Sequence, residues 1–234
     1  MKVIVSALLA GLVLTGNTFA ADKAVALETE QQKLSYAMGL DLGKYFQGID
    51  EKLDMEALNQ GMVDAYSGNT PLITAEESAA IQQDFAKRQQ EKQIKKTVAM
   101  IEKNQKAEEA FLTANKANVG VVATESGLQY KMVKAGEGAK PASTDMVKVH
   151  YQGTLLDGTE FDSSYKRNEP AEFQVDQVIP GWQEALQLMA VGSTYELYIP
   201  AKLAYGDRGA PPVIEPGSML IFKVELLDIL KDDK

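Results

Sequence analysis

From Glu28 to Gly68 apolar side chains return every third or fourth residue. Leu34, Met38, Leu42 and Tyr45/Phe46 follow that spacing, and Met55, Leu58, Met62 and Tyr66 repeat it, which predicts two short amphipathic helices. Asp54 is placed to cap the second, and Gly68 followed by Pro71 ends it. Gly39 and Gly43 share one face of the first helix. Each costs about 1 kcal/mol relative to alanine in a helix interior. Two such glycines among apolar residues indicate that another backbone comes close.

The next stretch, from Thr74 to Lys116, contains no Pro or Gly and is rich in strong helix formers. Thr74 and Glu77 have capping-box spacing. The apolar positions are few: Ile81, Phe85, Ile94, Val98, Ile101, then Phe111 and Leu112. This is too little to bury a helix, and too irregular for a long coiled coil. The expectation is a solvent-exposed stalk of about 60 Å, at 1.5 Å per residue.

After Asn118 the period drops to two. In MVKVHYQGTLLDGTEFDSS, Val147, Val149 and Tyr151 point one way while Lys148 and His150 point the other. Asp157-Gly158 signals a hairpin. STYELYIP repeats the alternation with Tyr195, Leu197 and Ile199, and MLIFKVELLDIL with Leu220, Phe222, Val224 and Leu226. Between Phe173 and Gly192 only PGWQEALQLMAVG reads as helix. The fold class is therefore α+β: an all-α N-terminal region, a long stalk helix, then an antiparallel sheet wrapped over one short helix.

The extreme N-terminus changes the picture. Lys2 precedes the apolar run Val3 to Leu14 and then TGNTFA. A run this short falls below the roughly 20 residues a spanning helix needs. It matches a secretory signal cleaved after Ala20, with Thr18 at the outer small position, and an N-terminal membrane anchor is the competing reading.

Charge and rare residues then narrow the chemistry. With 24 Lys+Arg against 33 Asp+Glu the chain is acidic, which argues against a nucleic-acid partner. It has no cysteine, hence no disulfide, thiolate or lipidated Cys. The single histidine, His150, leaves little for Ser–His catalysis or a multi-histidine metal site. Alternation makes it an outward surface residue. No metal and no cofactor is expected. What the last region does hold is aromatics, Trp182 in VIPGWQEAL among them, and by composition alone these are core.

The order of motifs goes further. VKVHYQGTLLDGTEFDSS, QVIPGWQEAL, MAVGSTYELYIPAKLAYGDRG and PGSMLIFKVELLDI together resemble the FKBP-type peptidyl-prolyl cis–trans isomerases. Upstream, KLSYAMGLDLGKYF, GMVDAYSG and EEAFLTANK resemble the exported, macrophage infectivity potentiator-like bacterial branch. The resemblance implies residues 1–20 as signal peptide, 21–72 as helical dimerisation domain, 73–118 as connecting helix and 119–234 as isomerase domain. It places Tyr151, Phe161, Asp162, Val178, Ile179, Trp182, Tyr205, Ile214 and Phe222 at the proline pocket. Trp182 is then the floor, Val178 and Ile179 the rim, with the Ile179 N–H donating to a ligand carbonyl. The Tyr205 hydroxyl is a second donor, and Asp162 a polar group at the edge. Phe173 lies close by. Ala171 and Ala210 depart from the eukaryotic pattern of a bulky aromatic and a histidine, leaving a more open rim.

The implied activity is isomerisation of X-Pro bonds during folding of exported proteins. The implied partners are proline-containing and unfolded exported polypeptides, a second copy of the chain through residues 28–68, and macrolide ligands of the family. The implied location is the periplasm, with the outer membrane or cell surface as variants. The rival reading is a dimeric holdase or a module that binds proline segments without turnover.

Overall fold

Thr29 opens the first helix, α1 (Glu30–Gln47). Its hydroxyl accepts from the Gln32 N–H at 3.1 Å, and the Gln32 side chain accepts from the Thr29 N–H at 2.9 Å, a reciprocal capping box. The second helix, α2 (Met55–Ser67), starts where the Asp54 carboxylate accepts from the Glu56 and Ala57 N–H groups, and stops at Gly68 in the left-handed region with φ 70°. The structure, a computed structural model, describes residues 26–230. The signal segment and its cleavage point after Ala20 lie outside the described residues. No helix among the described residues is long and apolar enough to cross a membrane.

The apolar faces of α1 and α2 exist as the spacing predicts, and the described residues of their own unit leave them open. No residue of α1 is buried. Leu34 and Met38 remain 62% and 61% exposed, and Tyr66 on α2 95%. A Cβ added at Gly39 or Gly43 meets nothing within 4 Å.

The chain divides into two compact units, one up to Ala75 and one from Glu76 on, so the long helix α3 (Ala75–Asn115) groups with the sheet. Ile81, Ile94 and Val98 are exposed, as a stalk requires. From Ile101 onward the helix differs from the expected solvent-exposed stalk. Ile101, Asn104, Glu108, Phe111 and Leu112 are half-buried and Asn115 is buried. The Gln129 amide donates to the Leu112 carbonyl at 2.8 Å and accepts from Asn115 at 2.9 Å, while the Phe111 and Tyr198 rings lie 5.7 Å apart. Asn104, Glu108, Asn115 and Gln129 supply the polar part of this contact, which apolar periodicity does not register.

The sheet has seven strands: β1 (Val121–Ala123), β2 (Gln129–Lys134), β3 (Met146–Thr154), β4 (Glu160–Ser163), β5 (Ala171–Gln174), β6 (Thr194–Ile199) and β7 (Leu220–Leu230). All pairings are antiparallel, in the order β1-β2-β6-β7-β3-β4, with β5 beside the first half of β3. Val147, Val149 and Tyr151 are buried on β3, and Leu220, Phe222, Val224 and Leu226 on β7, so the alternation holds. Two short helices complete the unit, α4 (Ser164–Arg167) and α5 (Pro180–Leu188). Proline at the first position of α5 fits a site whose N–H needs no partner. Trp182, Ala185, Leu186 and the following Met189 join the strands in one core. Gly181 is required there, since a Cβ would stand 2.4 Å from Ile199 Cγ2.

Candidate active site

Trp182 sits in the first turn of α5, 4% exposed. Three rings meet it nearly edge-on: Phe222 at 5.2 Å and 81°, Tyr151 at 5.3 Å and 88°, Phe173 at 5.6 Å and 85°. Phe161 then packs on Phe222 at 5.5 Å and 88°. Such T-shaped contacts set a ring's positive edge against a neighbour's negative face. They enclose a cavity of about 360 Å³, lined by these five rings with Asp162, Gln177, Val178, Ile179 and Tyr205. That size lies at the small end of the range for ligand sites. The indole Nε1–H is buried and has no hydrogen-bond partner among the described residues.

Backbone geometry sets the rings. Gly153 on β3 has no room for a side chain, because a Cβ would lie 2.6 Å from Phe161 Cζ and 2.7 Å from Phe222 Cε1. Its hydrogen atom is what lets β4 and β7 bring those rings together. At the rim, Val178 and Ile179 precede α5, and the Gln183 amide donates to the Val178 carbonyl at 2.7 Å. Ile179 is the N-cap, so its own N–H lies outside the helical ladder. Tyr205 is 42% exposed at the mouth, and its hydroxyl makes no hydrogen bond among the described residues.

Polar order is concentrated at one edge. The Tyr151 hydroxyl donates to Asp162 and accepts from Arg167 at 2.9 Å, and the Arg167 guanidinium also donates to Asp162. It stands 5.7 Å from the Tyr151 ring centre as well. Burial pushes the Asp162 carboxyl up, but the Tyr151 hydroxyl and the Arg167 guanidinium outweigh it and hold the group below the usual carboxylate range. Burial, then the Asp162 hydrogen bond, push the Tyr151 phenol up. The phenol therefore stays neutral, and the edge of the cavity carries a half-exposed ion pair.

All the residues expected at the pocket line this cavity except Ile214, which is buried in the core and paired with Ala210 by its backbone. Ala171 and Ala210 pack on the core and do not line the cavity. Phe173, expected close by, is a wall. Arg167 and Gln177 were not anticipated. For Arg167 the available signal was local: Ser163 caps α4 and Asn168 ends it with φ 52°, so one turn returns a cation over Asp162.

His150 needs a correction. It faces away from Tyr151 but is not an outward surface side chain. It is half-buried, stacked on Tyr165 at 4.7 Å, with Nδ1 2.9 Å from Ser164 Oγ. The one-turn helix α4 covers that face, and no strand alternation reveals such a cover. Among the described residues no group of three or more His, Cys, Asp or Glu is placed to hold a metal.

An aromatic cavity under a short helix wrapped by an antiparallel sheet defines a class, and the matches agree with it. Residues 137–227 match the FKBP-type peptidyl-prolyl cis-trans isomerases, and residues 31–132 the domain amino-terminal to them. The chain belongs to this isomerase family. It is 46% identical over 99% of its length to the outer membrane protein MIP of Legionella longbeachae, covering 98% of that protein. To the peptidyl-prolyl cis-trans isomerase Mip of Coxiella burnetii it is 45% identical, covering 99% and 100% of the two chains. The crystal structure of FkpA from Escherichia coli matches with a TM-score of 0.72 at 38% identity, over 87% of this chain and 98% of that one.

Proposed function

We propose that this isomerase works by desolvating the X-Pro amide over the Trp182 floor. The observation that carries this is the ring cluster, with three aromatics edge-on to a buried indole whose N–H has no partner among the described residues. Rotation about an X-Pro bond meets a barrier of about 18–20 kcal/mol, most of it lost amide resonance. The twisted amide is less dipolar than the planar one, so a dry aromatic cavity favours it relative to water. A thousandfold gain needs only about 4 kcal/mol of such differential binding. The proline ring rests on Trp182. The Ile179 N–H and the Tyr205 hydroxyl, without a partner among the described residues, are the donors for the carbonyls around it. Asp162, locked by Tyr151 and Arg167, presents fixed negative charge at the edge. Macrolide ligands of the family address the same cavity.

The second part of the reading is a homodimer through residues 28–68, supported by the uncovered apolar faces of α1 and α2. Export is supported by the apolar run Val3 to Leu14 and by the name of the Legionella relative. The clients are then proline-containing polypeptides folding outside the cytoplasm. Residues 21–72, 73–118 and 119–234 serve as dimerisation domain, connecting helix and isomerase domain, the last two in close contact. The test compares turnover of a proline tetrapeptide with suppression of aggregation of a proline-free client. Turnover abolished by Trp182→Ala, with aggregation suppression retained, supports the isomerase pocket. Aggregation suppression without any wild-type turnover overturns it in favour of a holdase.

A further inference from the structure

Tyr205 stands at the pocket without being held by its own burial. It lies between two 3-10 turns, Ala201–Leu203 and Gly206–Arg208, with φ −103° and ψ 3°. The position of its hydroxyl therefore depends on how the backbone of residues 201–217 is fixed. Both ends of that segment are gripped by α3.

At the near end, the Glu108 carboxylate accepts from the Ala201 N–H at 2.7 Å, at the start of the first turn. At the far end, the Asn104 amide donates to the Pro216 carbonyl at 2.9 Å and reaches Ser218 Oγ at 3.4 Å and Glu215 Oε2 at 3.5 Å. Next to it, Gly217 presses on the helix backbone, where a Cβ would lie 3.1 Å from Ile101 Cα. The two ends are tied together inside the segment, since the Gly217 N–H donates to the Gly206 carbonyl at 3.0 Å. Gly206 is the residue after Tyr205. Ile101, Asn104 and Glu108 follow at steps of three and four, so one face of α3 makes all three contacts. Burial pushes the Glu108 carboxyl up against the opposing pull of the Ala201 N–H and Lys202, consistent with a group taken partly out of water to make this bond.

We propose that Asn104 and Glu108 are positioning residues of the isomerase, which set the Tyr205 hydroxyl by clamping both ends of the segment that carries it. The connecting helix is then part of the catalytic architecture as well as a spacer. The proposal rests on the pocket role of Tyr205. A hydroxyl free to drift by an ångström loses much of what orientation contributes to the rate.

The test uses the full chain and a double-mutant cycle. Asn104→Ala with Glu108→Ala is measured in the wild-type and in the Tyr205→Phe background, for kcat and KM on a proline tetrapeptide. The expected result is a loss of about tenfold, mainly in kcat, in the wild-type background and little further loss beside Tyr205→Phe. Glu108→Gln, which keeps an oxygen for the Ala201 N–H, recovers most of the loss relative to Glu108→Ala. Amide exchange should quicken over 201–217 while β3 and β7 stay protected. An equal fold-loss in both backgrounds, or no loss at all, overturns the proposal. Exchange that quickens throughout the sheet also overturns it, since the clamp is then merely part of global stability. Full turnover by Tyr205→Phe alone removes the pocket role of the phenol, and the positioning proposal with it.

Discussion

Trp182 and Tyr66 mark the opposite extremes of aromatic burial among the described residues, 4% against 95% exposed. The sheet unit has Leu128, Val147, Leu197, Leu220 and their neighbours sealed from water around α5. The helical unit has the same kinds of side chain at regular helical spacing, yet Leu34, Met38 and Tyr45 stay open. The difference teaches that a spacing pattern shows which face wants to be covered but not what covers it. In the sheet unit the chain itself supplies the cover, and the leftover concavity is the aromatic cavity. In the helical unit the described residues leave that face open, and two helices of this length bury little surface on their own.

The sharpest way to separate the two regions is to damage one and read the other. Trp182→Ala removes the floor and the centre of the ring cluster. Turnover of a proline tetrapeptide should fall by roughly a hundredfold, the equivalent of about 2.7 kcal/mol in the barrier. The sheet unit should also lose about 3–5 kcal/mol of stability. Sedimentation should be unchanged, because the helical unit is untouched. Turnover within a few-fold of wild type in a folded variant would falsify the pocket.

The reverse experiment uses Gly39→Leu with Gly43→Leu. A Cβ at either position meets nothing within 4 Å among the described residues, and the change removes two helix-weakening glycines, so α1 alone should gain helicity. A partner backbone in close approach is what they obstruct. The sedimenting mass at micromolar concentration should drop from dimer to monomer, while peptide turnover stays as it was. A wild-type chain that already sediments as a monomer sinks the dimer. So does a variant that associates as tightly as the wild type.

A smaller effect is expected within the sheet unit. Gly153→Ala pushes a methyl into Phe161 and Phe222. Overpacking of this kind costs about 1–3 kcal/mol, so urea unfolding should shift and turnover should drop partly. Unchanged stability and turnover would mean that the two rings can part freely, against the reading of a preset wall.

Much of this was legible in the sequence where neighbours along the chain decide the outcome. Alternation in β3, β6 and β7, the Asp157-Gly158 turn and the Pro180 start of α5 are local signals, and the strands and helix stand where those signals put them. Motif order brought Tyr151, Phe161, Asp162, Trp182 and Phe222 to one cavity. What remained hidden depends on contacts that no apolar period describes. Asn104 and Glu108 reach partners about a hundred positions away, 111 or more for Asn104 and 93 for Glu108, with no apolar period to betray the contact. Ile214 carries a motif position and is buried in the core, its backbone bridged to Ala210. His150 was placed on the correct face, yet the cover supplied by α4 depends on a turn that alternation does not describe.

The smallest expected effect comes from the edge of the cavity, and it is read through pH. The folded Asp162 carboxyl lies below its ordinary value, with burial opposing and the Tyr151 and Arg167 hydrogen bonds prevailing. A carboxylate with a depressed folded pKa contributes stability that is fully present above its unfolded pKa, about 3.9. It is lost as pH falls through the lower folded value, because the folded state resists the proton that the unfolded state accepts. Asp162→Asn should therefore cost stability at neutral pH, and the gap to wild type should close below about pH 4. Both partners are partly exposed, 42% for Asp162 and 50% for Arg167, so water screens the pair. The gap at neutral pH should then be at most about 1 kcal/mol. Arg167→Ala in the same titration should reproduce part of the closing, since it removes the guanidinium while leaving the Tyr151 hydroxyl on the carboxylate. A gap that stays constant from neutral pH down through pH 3 would show that the charge on Asp162 does not couple to folding, and that its place at the pocket edge is one of shape alone.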